Sequence, residues 1–320
     1  MSLRISGTGS CLPEKILTND DLATFLDTND EWIRTRTGIR ERHVLTTESV
    51  TDIASKAGQN ALDNANIRAD ELDYILCATL GGDYVTPSLA CMVQERLGAH
   101  CPALDVNGAC SGFLYGLDVA AGFFCRKRAK KILLIAADGL SRIADWTDRA
   151  TCVLFGDGAG AVILEEGDHL LHLNVTAEGA ADPLYMPFQS GNFPLTASNR
   201  KENQETFLRM DGATVFKFAV NSIIKEFEIA LQKTGMTADQ INYVLLHQAN
   251  MRIIEAARKK LGVPEDRFLT NIDRVGNMSA ATIPVLLDAC NREGCFKTND
   301  ILFMSGFGAG LTTGTVLLRW

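Results

Sequence analysis

Residues 102–115 read Pro-Ala-Leu-Asp-Val-Asn-Gly-Ala-Cys-Ser-Gly-Phe-Leu-Tyr, and this stretch decides the fold. A short strand passes through a turn of small residues and delivers Cys110 to the first turn of an apolar helix. Between residues 111 and 124 the only charged residue is Asp118, which predicts a helix buried on nearly every face. Because the amides and macrodipole at a helix start favour a thiolate, we expect the pKa of Cys110 to fall from about 8.5 toward 7 or below.

The composition indicates an ordered protein with a large core. Of 320 residues, 46% are hydrophobic and 22% are charged, enough for one large domain or two closely packed halves. The formal net charge of −8 argues against a general binder of nucleic acid or of an anionic membrane, since either needs a dominant basic field. Aliphatic runs such as residues 132–137 are far shorter than the roughly 20 residues of a membrane span. We therefore expect no nucleic acid and no membrane among the partners.

The cysteines and histidines indicate a reduced protein without a metal. Nine cysteines are scattered through apolar segments with no CxxC pair, and no secretory signal precedes them. This pattern predicts a cytoplasmic location. The five histidines have no spacing typical of a zinc site, so we expect no structural metal.

The chain resembles itself at an offset of 169 residues. Residues 69–76, Ala-Asp-Glu-Leu-Asp-Tyr-Ile-Leu, correspond position by position to residues 238–245, Ala-Asp-Gln-Ile-Asn-Tyr-Val-Leu. At the same offset Cys110 falls on Ser279. These matches predict two duplicated halves, which we assign to residues 1–170 and 171–320.

Each half alternates amphipathic helices with aliphatic strands, which indicates an α/β fold. The helices are predicted near 51–65, 88–97, 110–125, 214–233, 250–261 and 279–293. Glycine-rich runs at 156–160 and 306–310 are predicted to be turns that lead into strands. Neither matches the GxGxxG dinucleotide fingerprint, which is followed by a helix. The polar segment 179–204 is predicted to be a long surface excursion.

Three segments place reactive or polar side chains where a plain core would have aliphatics. They contain Cys110, His247 and Asn277, each at a strand end or a helix start, where α/β proteins bind ligands. A thiol, an imidazole and a carboxamide brought together could catalyse covalent acyl transfer. Taken singly, each also has an ordinary structural interpretation as a core thiol, a satisfied histidine or a turn asparagine.

The segments NGACSGF, HQANMRI, GNMSAA, FGDGAGA and SGFGAG occur in that order, and residues 27–42 read DTNDEWIRTRTGIRER. With these motifs the chain resembles the 3-oxoacyl-acyl-carrier-protein synthase III family of the thiolase superfamily, over essentially its whole length. The resemblance implies a five-layered αβαβα fold, usually assembled as a homodimer. It also implies the initiating condensation of type II fatty acid synthesis, from acyl-CoA and malonyl-acyl carrier protein, without a cofactor.

The resemblance assigns roles to residues. Cys110 would be the acylated nucleophile, and its amide would form an oxyanion hole with one from the Gly308-Ala309 turn. His247 and Asn277 would hold the thioester carbonyl of the second substrate.

Further residues are assigned to substrate binding by the same resemblance. Contacts to CoA and its pantetheine arm would come from Thr28, Trp32, Arg36, Arg149, Gly212, Phe216, Ala249 and Asn250. Stacking combined with cations suits a purine with phosphates, although a solvated basic face is the alternative for residues 34–42. Thr86 would border the acyl pocket across the dimer interface. The carrier protein would dock on Gln248 and Arg252, with Arg258, Lys259 and Lys260 on the same helix.

Other functions remain open at this point. A papain-type Cys-His-Asn hydrolase uses the same residue types but lacks the duplication. A non-catalytic thioester binder is disfavoured because all three reactive residues are present. A related thiolase-fold acyltransferase of a polyketide or quinolone pathway would share every motif. Degradative thiolases resemble this chain but carry a second cysteine near the C-terminal glycine turn, and the turn that begins at Ser305 has none, which disfavours thiolysis. Elongating condensing enzymes have a second histidine at the position of Asn277, which disfavours chain elongation.

Overall fold

The computed structural model describes residues 3–187 and 207–320. Residues 188–204 of the predicted surface excursion therefore lie outside the described residues. The first half contains, in chain order, β1 (Leu3–Cys11), β2 (Lys15–Thr18), α1 (Asn19–Ala23), α2 (Asp30–Thr37), β3 (Glu41–Val44), α3 (Val50–Ala65), β4 (Tyr74–Ala78), α4 (Leu89–Leu97), β5 (Ala103–Val106), α5 (Gly112–Cys125), β6 (Lys131–Gly139) and β7 (Asp157–Glu166).

The second half repeats this succession. It contains β8 (Leu170–Ala180), β9 (Leu184–Tyr185), β10 (Arg209–Met210), α6 (Gly212–Thr234), β11 (Tyr243–Leu246), α7 (Met251–Leu261), β12 (Phe268–Leu269), α8 (Ile272–Val275), α9 (Thr282–Arg292), β13 (Ile301–Gly308) and β14 (Gly310–Arg319). The predicted helices are thus confirmed, with shifts of a few residues at their ends. The predicted boundary after residue 170 falls on the first residue of β8.

Two sheets of five strands carry the same topology. Their orders are β1-β7-β6-β4-β5 and β8-β14-β13-β11-β12. In each sheet the strand next to one edge, β4 or β11, runs parallel to both neighbours, and the remaining pairs are antiparallel. The duplication inferred from the sequence is therefore a duplication of strand order and direction.

The apolar clusters define five layers. Helices α5 and α9 share one buried cluster with strands of both sheets, so they form a middle layer between the sheets. Helices α3 and α4 cover the outer face of the first sheet, and α6 and α7 cover the outer face of the second. Strand β6 supplies alternate residues to opposite faces, with Leu134 in the middle cluster and Ile135 in the outer one. The αβαβα arrangement is confirmed.

Both helices of the middle layer begin with the same strained turn. The 3₁₀ turn Ala109–Ser111 precedes α5, and the 3₁₀ turn Ser279–Ala281 precedes α9. Ala109 (φ 47°) and Ser279 (φ 51°) both adopt the left-handed conformation, which is uncommon outside glycine. These two residues are structural equivalents, so the counterpart of Cys110 is Ala280, and the pairing of Cys110 with Ser279 was wrong by one residue.

The glycine-rich runs lie largely inside strands, which corrects their prediction as turns leading into strands. Gly158 and Gly160 are within β7, and Gly306 and Gly308 are within β13. A Cβ atom on Gly160 would lie 2.6 Å from the backbone nitrogen of Val285 in α9. The missing side chains let the middle-layer helices pack directly on strand backbone.

We expect Gly160→Ala to lower the free energy of unfolding by roughly 2–3 kcal/mol, because its methyl group would meet the backbone of α9, which cannot move aside alone. Gly122→Ala is the matched control. That glycine is exposed in α5 with open space around it, so alanine should stabilise by about 0.5–1 kcal/mol. Urea unfolding of both variants measures this. Equal effects would contradict the packing described for β7.

Candidate active site

Cys110 lies on the turn between β5 and α5, two residues before the helix itself begins. The turn is fixed from the second half of the chain: a Cβ atom on Gly308 would be 2.6 Å from the Cys110 nitrogen. Thr312 Oγ1 lies 3.1 Å from both the Gly108 and the Ala309 carbonyl oxygens. The end of β13 and the turn that follows it are thus held against the amide of Cys110.

The thiol of Cys110 does not have the lowered pKa expected from the sequence. Burial raises its pKa to about 11, opposed by the Ser279 side chain and reinforced by the negative charge of Asp138. The expectation of a helix-activated thiolate is therefore wrong for the free protein. The residue keeps part of its surface accessible, so a substrate can reach a thiol that is mostly protonated at neutral pH.

His247 follows β11 and is only 1% exposed. Its backbone N–H donates to the Ser305 carbonyl at 2.9 Å, and its ring packs edge-on against Phe307 at 5.2 Å between centroids. Burial lowers the pKa of His247 to about 3. The imidazole is therefore neutral at any physiological pH.

Thr282 contacts the imidazole of His247. Its Oγ1 donates to the Ser279 carbonyl oxygen at 3.1 Å and lies 2.7 Å from Nδ1 of His247, where the donor depends on the tautomer of the ring. While the hydroxyl donates to Ser279, the contact places the ring proton on Nδ1. When the hydroxyl turns toward Nδ1 instead, the ring proton lies on Nε2, which can then donate to a ligand.

Asn277 is held by backbone bonds to the first half of the chain. Its N–H donates to the Leu154 carbonyl at 2.9 Å, and its carbonyl accepts from Gly156 at 3.0 Å. The side-chain Oδ1 accepts from the Ser279 N–H at 2.9 Å. Because Oδ1 is used in this way, the amide presents its Nδ2 group as a donor.

One turn connects all three predicted catalytic residues. Ser279 lies beside the thiol of Cys110 and bonds the side chain of Asn277, while Thr282, at the start of α9, bonds His247. The structure therefore brings the three together around residues 279–282. Neither Ser279 nor Thr282 was predicted to be a site residue. Two hydroxyl side chains in Ser-Ala-Ala-Thr, directly after Asn277 and Met278, were the available signal.

A second cluster surrounds Trp32 on α2. The guanidinium carbons of Arg36 and Arg149 lie 4.6 Å and 5.2 Å from the Trp32 ring centroid. Arg149 also donates to the carbonyl and the carboxylate of Asp27, in the loop before α2 that contains Thr28. The structure thus gathers the residues assigned to the purine of CoA on one partly exposed surface.

The remaining assigned residues are dispersed over several elements. Gly212 opens α6, and Phe216, one turn later, is 39% exposed. Ala249 and Asn250 are partly exposed before α7, where Asn250 caps the helix by accepting from the Arg252 N–H at 2.9 Å. Thr86 is exposed in the loop before α4.

The assignment of Gln248 to carrier-protein docking is wrong. Gln248 is 0% exposed. Its Nε2 donates to the Leu246 carbonyl at 2.6 Å, and its Oε1 accepts from the Asn271 N–H at 3.3 Å. Its side chain braces the chain between β11 and α7, and no protein partner can reach it.

Arg252, by contrast, borders a basic depression of about 540 Å³ on the surface between α2 and α7. We call it the basic depression. Its cationic lining residues are Arg34, Arg252, Lys259 and Lys260. Arg258 does not belong to it, because its guanidinium pairs with Glu255 and with Glu265 at 2.7 Å.

Over residues 3–187 and 207–320, no three histidine, cysteine or acidic side chains are grouped as metal ligands. In the same ranges no helix combines the length and apolar character that crossing a bilayer needs.

Comparison with known proteins gives a consistent result. The family model of 3-oxoacyl-[acyl-carrier-protein] synthase III matches residues 104–179, and the model of its C-terminal part matches residues 231–320. The beta-ketoacyl-[acyl-carrier-protein] synthase III of Clostridium acetobutylicum is 42% identical, over 100% of this chain and 99% of that protein. Among solved structures, 3-oxoacyl-[acyl-carrier-protein] synthase III from Aquifex aeolicus VF5 has a TM-score of 0.92 and 41% identity, covering 99% of this chain and 100% of that one. The priming beta-ketosynthase of the R1128 polyketide pathway has a TM-score of 0.91 and 30% identity, covering 99% and 96%.

The five layers, the paired turns and these full-length similarities define a condensing enzyme of the thiolase fold, an acyltransferase. Within that class, the chain belongs to the 3-oxoacyl-[acyl-carrier-protein] synthase III family.

We expect the His247 ring to stay neutral from pH 5 to pH 8, since burial lowers its pKa to about 3. In ¹⁵N NMR of histidine-labelled protein, its two ring nitrogens should show one protonated and one bare signal that do not move over this range. In urea the ring should titrate near 6.5. A midpoint near 6.5 in the folded protein would contradict the burial of His247.

Proposed function

We propose that this chain catalyses the initiating condensation of type II fatty acid synthesis: acyl-CoA and malonyl-acyl carrier protein give 3-oxoacyl-acyl carrier protein, CoA and CO₂. The observation that carries the proposal is the turn at residues 279–282, which contacts the thiol of Cys110, the ring of His247 and the amide of Asn277. Three groups around one turn suit a reaction in which Cys110 attacks the thioester of the first substrate and His247 and Asn277 hold the thioester of the second.

In the first step the Cys110 sulfur attacks the thioester carbonyl of the acyl-CoA. The carbonyl oxygen gains negative charge as the new S–C bond forms. The amide of Cys110 and one from the Gly308-Ala309 turn are placed to donate to it, since β13 ends against the Cys110 nitrogen. The bond to CoA then breaks and the acyl group stays on Cys110.

In the second step malonyl-acyl carrier protein enters and loses CO₂. The electrons of the broken C–C bond form an enolate, whose oxygen needs donors rather than a base. In the tautomer that this step requires, neutral His247 carries its proton on Nε2. It and the Nδ2 group of Asn277 then supply two hydrogen bonds in a site shielded from water. The resulting carbanion attacks the acyl group on Cys110. No cofactor takes part in this scheme, because the thiol and the two thioesters supply the chemistry.

Among condensing enzymes, initiation of fatty acid synthesis is favoured over polyketide priming by degree of similarity. The synthase III relatives are 41–42% identical over essentially the full chain, whereas the polyketide priming synthase is 30% identical. The presence of Ser305 on the strand that ends beside Cys110 agrees with synthesis, since thiolysis would need a second cysteine there.

The two substrates would approach over different surfaces. The cluster of Trp32, Arg36 and Arg149 suits the adenine and phosphates of CoA. The basic depression suits an acidic carrier protein, and its cations offset the overall negative charge locally.

We infer that the chain forms a homodimer through the edge strand β5. Strand β5 ends the first sheet, with Leu104 exposed upon it and Val85 88% exposed in the preceding loop. An exposed edge with apolar side chains favours pairing with a second copy. Thr86, next to Val85, would then border the partner's acyl pocket. The cytoplasmic location also stays a prediction, supported by nine unpaired cysteines.

Cys110→Ser should abolish acyl transfer. Intact-mass spectrometry after incubation with acyl-CoA should show one added acyl group on the wild-type chain and none on the variant. Cys91→Ser, which removes an exposed cysteine on α4, is the matched control and should acylate normally. Equal labelling of Cys110→Ser and the wild type would contradict the assignment of the nucleophile.

Arg252→Glu should raise the KM for malonyl-acyl carrier protein about tenfold or more, because it reverses one charge in the basic depression. The rate of acylation by acyl-CoA should not change. Arg128→Glu alters an exposed cation beyond the C-terminal end of α5 and should leave both values unchanged. An unchanged KM for the carrier protein in Arg252→Glu would contradict this docking surface.

A further inference from the structure

Duplication has left a second copy of the nucleophile turn, at residues 279–281, and the proposed reaction gives no role to the Ser279 hydroxyl or to the carboxylate that this copy faces. The turn at 109–111 faces the end of β13, and its amide at Cys110 lies against Gly308. The turn at 279–281 faces the end of β6, and its equivalent amide, that of Ala280, lies against the carboxylate of Asp138. A carboxylate therefore occupies the place that corresponds to the oxyanion hole.

Asp138 is buried, at 1% exposure. Its Oδ1 accepts from Thr79 Oγ1 at 3.1 Å and from the Leu80 N–H at 2.8 Å. Its Oδ2 and the Oγ of Ser279 are both buried and have no partner in hydrogen-bond geometry among the described residues. Two unsatisfied oxygens in one buried region need an explanation, because such atoms are rare.

Ser279 belongs to a turn that contacts both the end of β6, which carries Asp138, and the turn that carries Cys110. Its side chain favours the ionised form of both Asp138 and Cys110. Ser279 adopts the left-handed conformation, at φ 51°. A line of hydrogen bonds from Cys110 Sγ through Ser279 Oγ to Asp138 Oδ2 would give each of the two unpartnered oxygens a partner.

We propose that Ser279 and Asp138 form a proton relay for Cys110: the thiol proton passes to Ser279 Oγ while the Ser279 proton passes to Oδ2 of Asp138. This inference deepens the proposed function, on which it rests, by naming the proton acceptor of the acylation step. In this relay Ser279 would contact the reacting sulfur, and Asp138 would act through it as a positioning residue.

The relay resolves an electrostatic difficulty at Cys110. If the thiol lost its proton to water, a thiolate and the Asp138 carboxylate would share one buried region, and that repulsion helps to raise the pKa of Cys110 to about 11. Transfer within the relay keeps a single negative charge. Burial raises the pKa of Asp138 to about 7, so it accepts a proton readily near neutral pH. His247 does not take this role, because burial lowers the pKa of its ring to about 3 and disfavours a protonated imidazole.

The step balances. The S–C bond to Cys110 forms, the C–S bond to CoA breaks, and the thiol proton rests on Asp138. The departing CoA thiolate then takes that proton back through Ser279. The enzyme returns to its starting charge, and no other reactant is needed.

The other ionisable groups near the end of β6 do not substitute for Asp138. Asp157, opposite Gly139 on β7, accepts from the Leu45 and Ser141 amides and has a pKa raised by burial. Arg142 lies beyond it and pairs with Asp83 at 2.7 Å. Cys110 approaches Asp138 from the nucleophile turn, and the neutral His247 follows β11 in the other sheet.

Alkylation of Cys110 by iodoacetamide tests the relay without any CoA substrate. Peptide mass spectrometry should show that the alkylation rate of the wild-type protein rises with pH, with a midpoint near pH 7, because Asp138 then loses its proton and can accept another. In Asp138→Asn and Ser279→Ala this rise near pH 7 should be absent, and at pH 7.5 alkylation should be about tenfold or more slower than in the wild type. Alanine is compatible with the backbone at 279, since Ala109 adopts the same conformation. Asp157→Asn, which replaces another buried carboxylate, is the control and should keep the wild-type dependence of the alkylation rate on pH.

Alkylation that is faster, not slower, in the variants would overturn the relay. If Asp138 acts only as a charge, Asp138→Asn lowers the pKa of Cys110 and speeds alkylation at pH 7.5. A rate equal to or faster than wild type in both Asp138→Asn and Ser279→Ala contradicts the proposal, and Ser279→Ala alone decides if Asp138→Asn does not fold. Acylation with acyl-CoA, measured in parallel, separates the relay from the proposed function. If alkylation of the wild-type chain rises near pH 7 but the chain gains no acyl mass, the proposed function is refuted and the relay is not.

Discussion

The structure depends on the close approach of two turns in the middle layer, one from each half of the chain. The turn that carries Cys110 meets the end of β13, and the turn that carries Ser279 meets the end of β6. Contact at backbone distance is possible only where the opposing residue has no side chain, as at Gly308. Neither half contains a complete site. The thiol of Cys110 belongs to the first half and the side chains of His247 and Asn277 to the second, and each half encloses a turn of the other.

Burial at this meeting point sets the electrostatics of the site. It raises the pKa of Cys110 and of Asp138 and lowers the pKa of His247, so each group is pushed toward its neutral form. Chemistry in such a place relies on hydrogen-bond donors of fixed orientation more than on formal charges. Thr282 fixes the His247 ring and the Ser279 amide fixes the Asn277 side chain, so that both donors are oriented before a substrate arrives.

The α/β class and the duplication could be predicted from the sequence, because periodic burial and a repeated half are local or countable signals. The five layers and the roles of Cys110, His247 and Asn277 were implied by the family resemblance of the ordered motifs, and the roles stay predictions. The pKa shifts of the site could not be predicted from the sequence. A cysteine at a helix start suggests a lowered pKa, but Cys110 lies before the helix and beside Asp138, a residue 28 positions away in sequence. Gln248 shows the same limit: the two residues after it in the HQAN motif are partly exposed, and its own burial is seen only from the structure, where it accepts from the Asn271 N–H. The glycines of β7 were misassigned because their reason, contact with α9, is not local.

The central claim is that His247 and Asn277 hold one and the same thioester oxygen in front of Cys110. A crystal structure of the protein with a non-hydrolysable malonyl thioester analogue measures this most directly. The account predicts that the thioester oxygen lies about 3 Å from both Nε2 of His247 and Nδ2 of Asn277, with the reacting carbon facing the Cys110 sulfur. An oxygen bound by only one of the two groups, or turned away from the sulfur, would contradict it.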